Sequence, residues 1–474
     1  MTAEQIAGGK DVPANIAFYM TGNSAKVIRR CMDFLDMKTI ALCPNFQSYE
    51  ESLKEPKFAS VDYLYQGFNE LFDRVDVAAF CRKYSSVNLA EVLTVDKSHY
   101  KRQSSDYRLR YACTMGTKIA AVLEKWRPEY LFFPIIENID TMLAYRLALH
   151  YGIKPIVYCH TRFSGRSFFS ESHIELIPSY AENIPCSPEN AAGAAAFLER
   201  YLANPGNLLM YPEESDDEMY SEINEEHGAF GRLMRNLRLK FGPEKHNRLI
   251  NIWVSFQVRF QKIILPIRAA IYNLLEKYYL KPKAPPSTDY DYFPLHMSPE
   301  ASINVPAPFF IDQIRVVDKI LLDRRGNRPL VVKEHPAMFG YRPVSFFRDL
   351  KKRPFVTIVP RTTSSIDLIR RATTVYSVTG TACLEAFLLG VPWVQYGTNF
   401  LLDWIERRKS ANQPVTPLAF IQDVYKVSGD FLLYSPNRST YYDRFLFSKN
   451  NVEKLSRHIE FHIAQVSMRD RKAA

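Results

Sequence analysis

Three short apolar runs punctuate the stretch from Pro329 to Gly397: Leu330–Val332, Val356–Val359 and Val375–Val378. Each ends in polar or small residues, segments of helical spacing separate them, and a fourth run, Trp393–Tyr396, closes the series. Short β-branched runs alternating with helical segments predict βαβ units and a parallel sheet. Ligands of such sheets bind beyond the carboxyl ends of the strands. Lys333, Glu334, His335 and Pro336 follow the first run, and Thr379, Gly380 and Thr381 follow the third. Position alone makes these residues a candidate site.

The same alternation appears earlier in the chain. Asn15–Tyr19 and Lys38–Leu42 read as strands, and Arg108–Lys125 as a long helix with Ile119, Val122 and Leu123 at apolar positions. Tyr130–Phe133 is a predicted strand, Pro134–Asp140 a loop carrying Glu137, Asn138 and Asp140, and Thr141–Tyr151 a helix. Lys154–Tyr158 is the next strand, and the loop after it holds His160, Arg162 and Arg166. A first α/β domain is expected over 1–185. From 186 to 288 the pattern changes. Ala191–Leu202 is an Ala-rich helix, and Arg232–Leu280 has helical spacing, with Leu233, Leu237, Leu249, Ile252, Trp253 and Phe256 on one side. Pro266 should bend that helix, and Lys281–Ser287 reads as a linker. Tyr292–His296 opens a second α/β domain over 289–404, and 405–474 is expected to be helical and to pack back on the domains.

Length and composition narrow the class. A chain of 474 residues is too long for one core. The best candidate for a membrane span, Leu249–Leu275, carries Arg259, Lys262 and Arg268, so no spanning helix is expected. The N-terminus lacks a basic region followed by an apolar run, so no secretory signal is expected. Seven cysteines, none spaced as CxxC, argue against a disulfide framework and a zinc site. A cytoplasmic protein is the expectation. The net charge of +10 is local: His227–Lys283 holds twelve Lys or Arg against Glu244 and Glu276, directly after the acidic stretch Glu213–Glu226. Three readings fit Arg232, Arg235, Arg238 and Lys240: contact with anionic lipid head groups, nucleic-acid binding, or a solvated helical face. Basic and apolar residues interleave as in interfacial helices, and no nucleic-acid motif accompanies them, so a membrane surface is the favoured partner.

Several residues could carry chemistry. Pro336 holds His335 extended and aims its imidazole outward, where it can donate to phosphate; the plain alternative is a cap at a strand end. In Thr379–Glu385, Gly380 permits a tight turn and Thr381 is the expected helix cap, leaving helix-start amides for an anion. Glu385 falls one turn later, within reach of a ribose hydroxyl; the alternative is an ordinary capped helix. His296 and Glu300 flank Pro299 and are candidates to face one cleft as catalytic groups, against a simple strand-to-helix connection. Glu137 and Asp140 offer a carboxylate able to deprotonate a hydroxyl, against loop acids in water. Glu137 is the expected base. Asp289 and Asp291 imitate a DxD metal motif, but they read as linker residues, and no metal is expected.

Taken together, FPLHMSPEAS, VVKEHPAMFGYRP with the FFRDL after it, SSIDLIRRA and VTGTACLEAFLLGVPWVQYGTNF form a pattern from Tyr292 to Trp404. It resembles the bacterial capsule polysaccharide biosynthesis proteins, which include Kdo transferases acting on lipid-linked capsule glycans. Glu129–Phe169 resembles the family's first domain more loosely. The resemblance implies a GT-B fold, two Rossmann-like domains facing a central cleft, here with a helical basic insertion between them. It implies a nucleotide-sugar donor in the second domain and an acceptor mainly in the first. The His-Pro pair is similar to that of bacterial sialyltransferases, where it contacts a CMP-sugar. Carried over, Lys333, His335, Pro336, Ser364, Ser365, Thr379, Gly380, Thr381 and Glu385 become donor-binding. His296 and Glu300 fall where the family has a QPE-type motif, with Ser298 in place of the Gln. The expectation is a metal-independent glycosyltransferase with no cofactor beyond its nucleotide-sugar substrate. Its acceptor would be a glycan or glycolipid at an anionic membrane face. A UDP-sugar epimerase and a non-catalytic assembly or export factor are the alternatives.

Overall fold

The computed structural model of the chain describes residues 15–96, 103–206, 282–298, 301–338, 341–434 and 445–473, apart from 23 and 164, together with 267, 270–274 and 276. Glu300 and the bases Arg232, Arg235, Arg238 and Lys240 lie outside the described residues.

Two sheets organise these residues. The first has six strands: β1 (Ile16–Tyr19), β2 (Thr39–Cys43), β3 (Phe58–Tyr63), β4 (Tyr130–Phe133), β5 (Lys154–His160) and β6 (Ser167–Ser170), in the order β3-β2-β1-β4-β5-β6. β1 to β5 run parallel, and β6 returns antiparallel to β5. The second has five: β7 (Tyr290–Pro294), β8 (Leu330–Lys333), β9 (Val356–Val359), β10 (Ala372–Ser377) and β11 (Trp393–Gln395), ordered β11-β10-β7-β8-β9 and parallel throughout. Each sheet places its first strand beside its fourth, the Rossmann order with one switch point. The fold is therefore α/β with two Rossmann-like sheets.

Short strands suffice because helices bury both faces. On the second sheet, Phe293, Leu295, Leu330, Val332, Val316, Val317 and Leu350 pack on one side. Tyr292, Val331, Leu368, Ile369, Val375 and Ala386 pack on the other. The alternation along β8, Leu330 and Val332 against Val331, carries Lys333 onto the second of these faces. Asp291, read as a linker residue, stands inside β7, where its buried carboxylate meets Arg324 at 3.5 Å and Arg328 at 3.3 Å. β7 thus starts at Tyr290, two residues earlier than the apolar pattern indicates, and His296 lies past its end.

The first sheet shares its core with the end of the chain. Val452, Leu455 and Ile459, from the helix Lys449–Ala473, belong to the cluster that holds Phe18, Phe132 and Phe169. Ser467 Oγ lies 2.9 Å from the Tyr130 hydroxyl, and Tyr180 bonds His462 Nδ1 at 2.7 Å. Gly429 exchanges two backbone hydrogen bonds of 2.9 Å with Ser167 of β6. Among the described residues no helix is long and apolar enough to cross a membrane.

Candidate functional site

The switch point of the second sheet lies between the carboxyl ends of β7 and β10, and His296 bridges it. Its Nε2 accepts the Val378 amide hydrogen at 3.1 Å and lies 3.2 Å from Ser377 Oγ. The Gln313 side chain accepts from the His296 amide at 2.8 Å and donates to its carbonyl at 3.1 Å. Arg342 also donates to that carbonyl and pairs with Glu334 at 2.8 Å. Burial, with the Arg342 and His335 charges nearby, pushes the imidazole pKa down to about 4, so the ring is neutral at pH 7. A neutral ring whose Nε2 accepts a backbone amide carries its proton on Nδ1. Nε2 of this candidate catalytic residue is thus occupied in tying the loop after β7 to the end of β10.

Next to this ring the chain turns into the helix Thr381–Leu388. Gly380, not Thr381, occupies the cap position, and no side chain caps the helix. Space decides the residue. A Cβ on Gly380 would lie 2.7 Å from His296 Cε1 and 3.1 Å from Ser377 Oγ. An uncapped start leaves first-turn amides without an intrahelical acceptor, the arrangement that binds anions. The Thr379 hydroxyl is turned away to the Ser302 carbonyl at 2.5 Å. His335 is exposed beyond β8 and near enough to His296 to lower its pKa, and Pro336 begins the short turn Pro336–Met338.

The remaining expected donor residues form a second group on the other face of the sheet. Lys333 Nζ donates to Ser365 Oγ at 2.7 Å, and only 7% of Lys333 is exposed. Glu385 faces the pair. Burial pushes its pKa up to about 7, against the opposing pull of Lys333, whose own pKa burial lowers. Ser364 caps the helix Ser365–Arg371 by accepting the Asp367 amide at 3.2 Å. Of the nine residues, Gly380, Thr381, His335 and Pro336 stand at the sheet's carboxyl edge beside Thr379, Lys333 and Ser365 bond each other beneath it with the Glu385 charge near Lys333, and Ser364 is a helix cap.

The first sheet has an equivalent switch point between β1 and β4. Tyr19 ends β1, and the helix Ile139–His150 follows β4, capped by a reciprocal pair of Asn138 and Thr141. Asp140 falls in the first turn of that helix rather than in a loop. It accepts from the Tyr111 hydroxyl at 2.9 and 3.0 Å, and Tyr111 meets the Tyr65 hydroxyl at 2.8 Å. Part of the residue's surface meets solvent while the carboxyl is enclosed by protein, and burial pushes its pKa up to about 7. Glu137 sits on the turn before, its amide donating to Thr141 Oγ1 at 3.0 Å. Sequence reading noted Asp140 but had no means to rank it above Glu137. What raises the Asp140 pKa is its burial, while the Tyr111 hydroxyl, far away in sequence, pulls the other way. No group of three or more metal-ligating side chains occurs among the described residues.

No protein-family model and no curated protein matches the chain. Among solved structures it is similar to two Kdo transferases of Thermosulfurimonas dismutans. The KpsC β-Kdo 2,7-transferase shares 16% identity over 67% of this chain and 81% of that one, with a TM-score of 0.32. The KpsC β-Kdo 2,4-transferase shares 10% identity over 62% and 79%, with a TM-score of 0.36. UDP-GlcNAc 2-epimerase from Neisseria meningitidis, bound to UDP-GlcNAc, shares 12% identity over 96% and 99%, with a TM-score of 0.21. These scores are low, and the functional reading rests on the chain's own residues.

Proposed function

We propose that the protein is a glycosyltransferase of capsular or other surface polysaccharide synthesis. It takes a sugar from a nucleotide-sugar donor, a CMP-sugar being favoured, and passes it to a glycan or glycolipid at the inner membrane face. The observation that carries this reading is the pairing of two Rossmann switch points with different chemistry. The one in the second sheet offers an uncapped helix start, with His335 near, to a phosphate. The one in the first offers a carboxylate whose pKa of about 7 suits a general base. Asp140 replaces Glu137 as the residue for that role, and His296 becomes a positioning group. In the reaction the acceptor hydroxyl attacks the anomeric carbon, the bond from that carbon to the nucleotide phosphate oxygen breaks, and the hydroxyl proton passes to Asp140. Helix-start amides and His335 take the developing charge on the departing nucleotide.

Transfer assays with CMP-, UDP- and GDP-sugars and a lipid-linked glycan acceptor test the proposal. Turnover that depends on the acceptor is expected. Conversion of a UDP-sugar without acceptor would instead make the protein an epimerase, and no turnover with any donor would overturn the enzymatic reading.

A further inference from the structure

The loop after β5 carries two arginines with opposite situations. Arg166 is pinned: it donates to Ser428 Oγ at 3.0 Å and to the Ser428 carbonyl at 2.7 Å, pairs with Asp430 at 3.0 Å, and lies over the Tyr425 ring. Arg162 has no side-chain hydrogen bond or ion pair among the described residues, although it is partly buried. Its backbone is left-handed, with φ 67°, a conformation costly for any residue with a Cβ. What holds it there is His160, the last residue of β5, whose Nδ1 accepts the Arg162 amide hydrogen at 3.0 Å.

That bond fixes the imidazole. With Nδ1 accepting, the neutral ring carries its proton on Nε2. The ring is neutral because burial and the Arg162 charge push its pKa down to about 3. His160 is 7% exposed, and its Nε2 has no hydrogen-bond partner among the described residues. A buried donor without an acceptor is costly to keep. Glu175 approaches from the segment after β6, close enough to influence Arg162 but without a close ion pair, and it too is left-handed, with φ 58°. The His160 ring and the Arg162 guanidinium thus lie near enough to interact at the carboxyl edge of the first sheet, the edge that also carries Asp140.

We propose that His160 and Arg162 form an anion-recognition site that takes a carboxylate or phosphate oxygen of the acceptor. A neutral Nε2–H gives one directed hydrogen bond, and the guanidinium gives charge and a planar fork suited to two oxygens. The strained loop fits this role, since a glycine at position 162 would relieve the backbone but remove the guanidinium. The inference rests on the transferase reading for the word acceptor, though not for the anion.

Calorimetric titration of the full chain with glucuronate, glucose 1-phosphate and glucose tests it. One of the two anions should bind while glucose does not, and the one that binds identifies the group as carboxylate or phosphate. Arg162→Gly should lose at least about tenfold in that affinity while its Tm stays equal to or above that of the parent, because the left-handed strain is gone. His160→Leu should lose affinity similarly, and Arg162→Lys should retain part of it. Equal anion affinity in the parent and Arg162→Gly overturns the site, as does binding by neither anion. A thermal shift with CMP, UDP or GDP keeps the two proposals separable. Nucleotide binding without Arg162-dependent anion binding sinks this site alone, and the converse sinks the transferase reading alone.

Discussion

His296 Nε2 accepts the backbone amide of Val378 at 3.1 Å, which ties the loop after β7 to the end of β10. His296→Ala would leave that buried amide unsatisfied, and the expected loss of stability is about 2 kcal/mol. Urea denaturation measures it. Nucleotide binding should weaken as well, since the turn into Thr381–Leu388 rests on the same ring.

Gly380 has no room for a side chain. A methyl there would meet His296 Cε1 at 2.7 Å, and both groups are held by their surroundings. Gly380→Ala should cost about 1–3 kcal/mol and abolish the nucleotide-induced thermal shift. An unchanged shift would remove the helix start from the donor site.

Asp140→Asn should lower the transfer rate by about 10²- to 10⁴-fold and remove the rise in rate as pH passes through about 7. The Tyr111 hydroxyl stabilises the carboxylate and lowers its pKa. Tyr111→Phe should therefore shift the remaining profile to higher pH. A rate–pH curve that ignores both substitutions would return the role of base to another group, Glu137 first.

Glu385 links stability to pH. Its folded pKa, about 7, lies above the ordinary 4.5, so the folded state retains a proton that the unfolded chain releases. Stability is then fully present below the lower value and declines as pH rises through the higher one. Glu385→Gln should flatten this slope and gain stability over the parent at about pH 8. Asp140 acts in the same direction from 3.8 to about 7. Denaturation midpoints across that range decide the sign.

Arg232, Arg235, Arg238 and Lys240 give the membrane partner its own test. Neutralising all four should abolish flotation with anionic liposomes, and raised salt should weaken it in the parent. Flotation indifferent to both would leave the segment a solvated face.

The second sheet was legible because Val331, Ile358 and Val375 sit in short β-branched runs bounded by polar residues. Its strands appear where that pattern places them, apart from β7 and the start of β10, which begins at Ala372 rather than Val375. There a buried Asp291 with two arginine partners breaks the apolar pattern, and no local rule anticipates partners from Arg324 and Arg328. β3 was missed for a related reason. Phe58–Tyr63 contains Ser60 and Asp62 and has only its first residue fully buried, so it lacks the continuous apolar run of an inner strand. In the site, position after a strand correctly marked Gly380 and His335 as edge residues. It could not separate them from Lys333, whose side chain the β8 alternation turns beneath the sheet. The Asp140 environment was invisible because a carboxylate's pKa depends on groups brought in by the long helix Ser105–Trp126.

The shared core of the first sheet and the last helix also sets an order of events during synthesis. β1 leaves the ribosome early, yet Val452, Leu455 and Ile459, which help bury its layer, are made more than four hundred residues later. At about 5–20 residues per second the delay is roughly 20–90 s. The second sheet, with its cores drawn from 290–396, can close first. The first sheet can pair Phe18 with Phe58 and Phe132 with Phe169 beforehand, but its core is complete only when the last helix arrives.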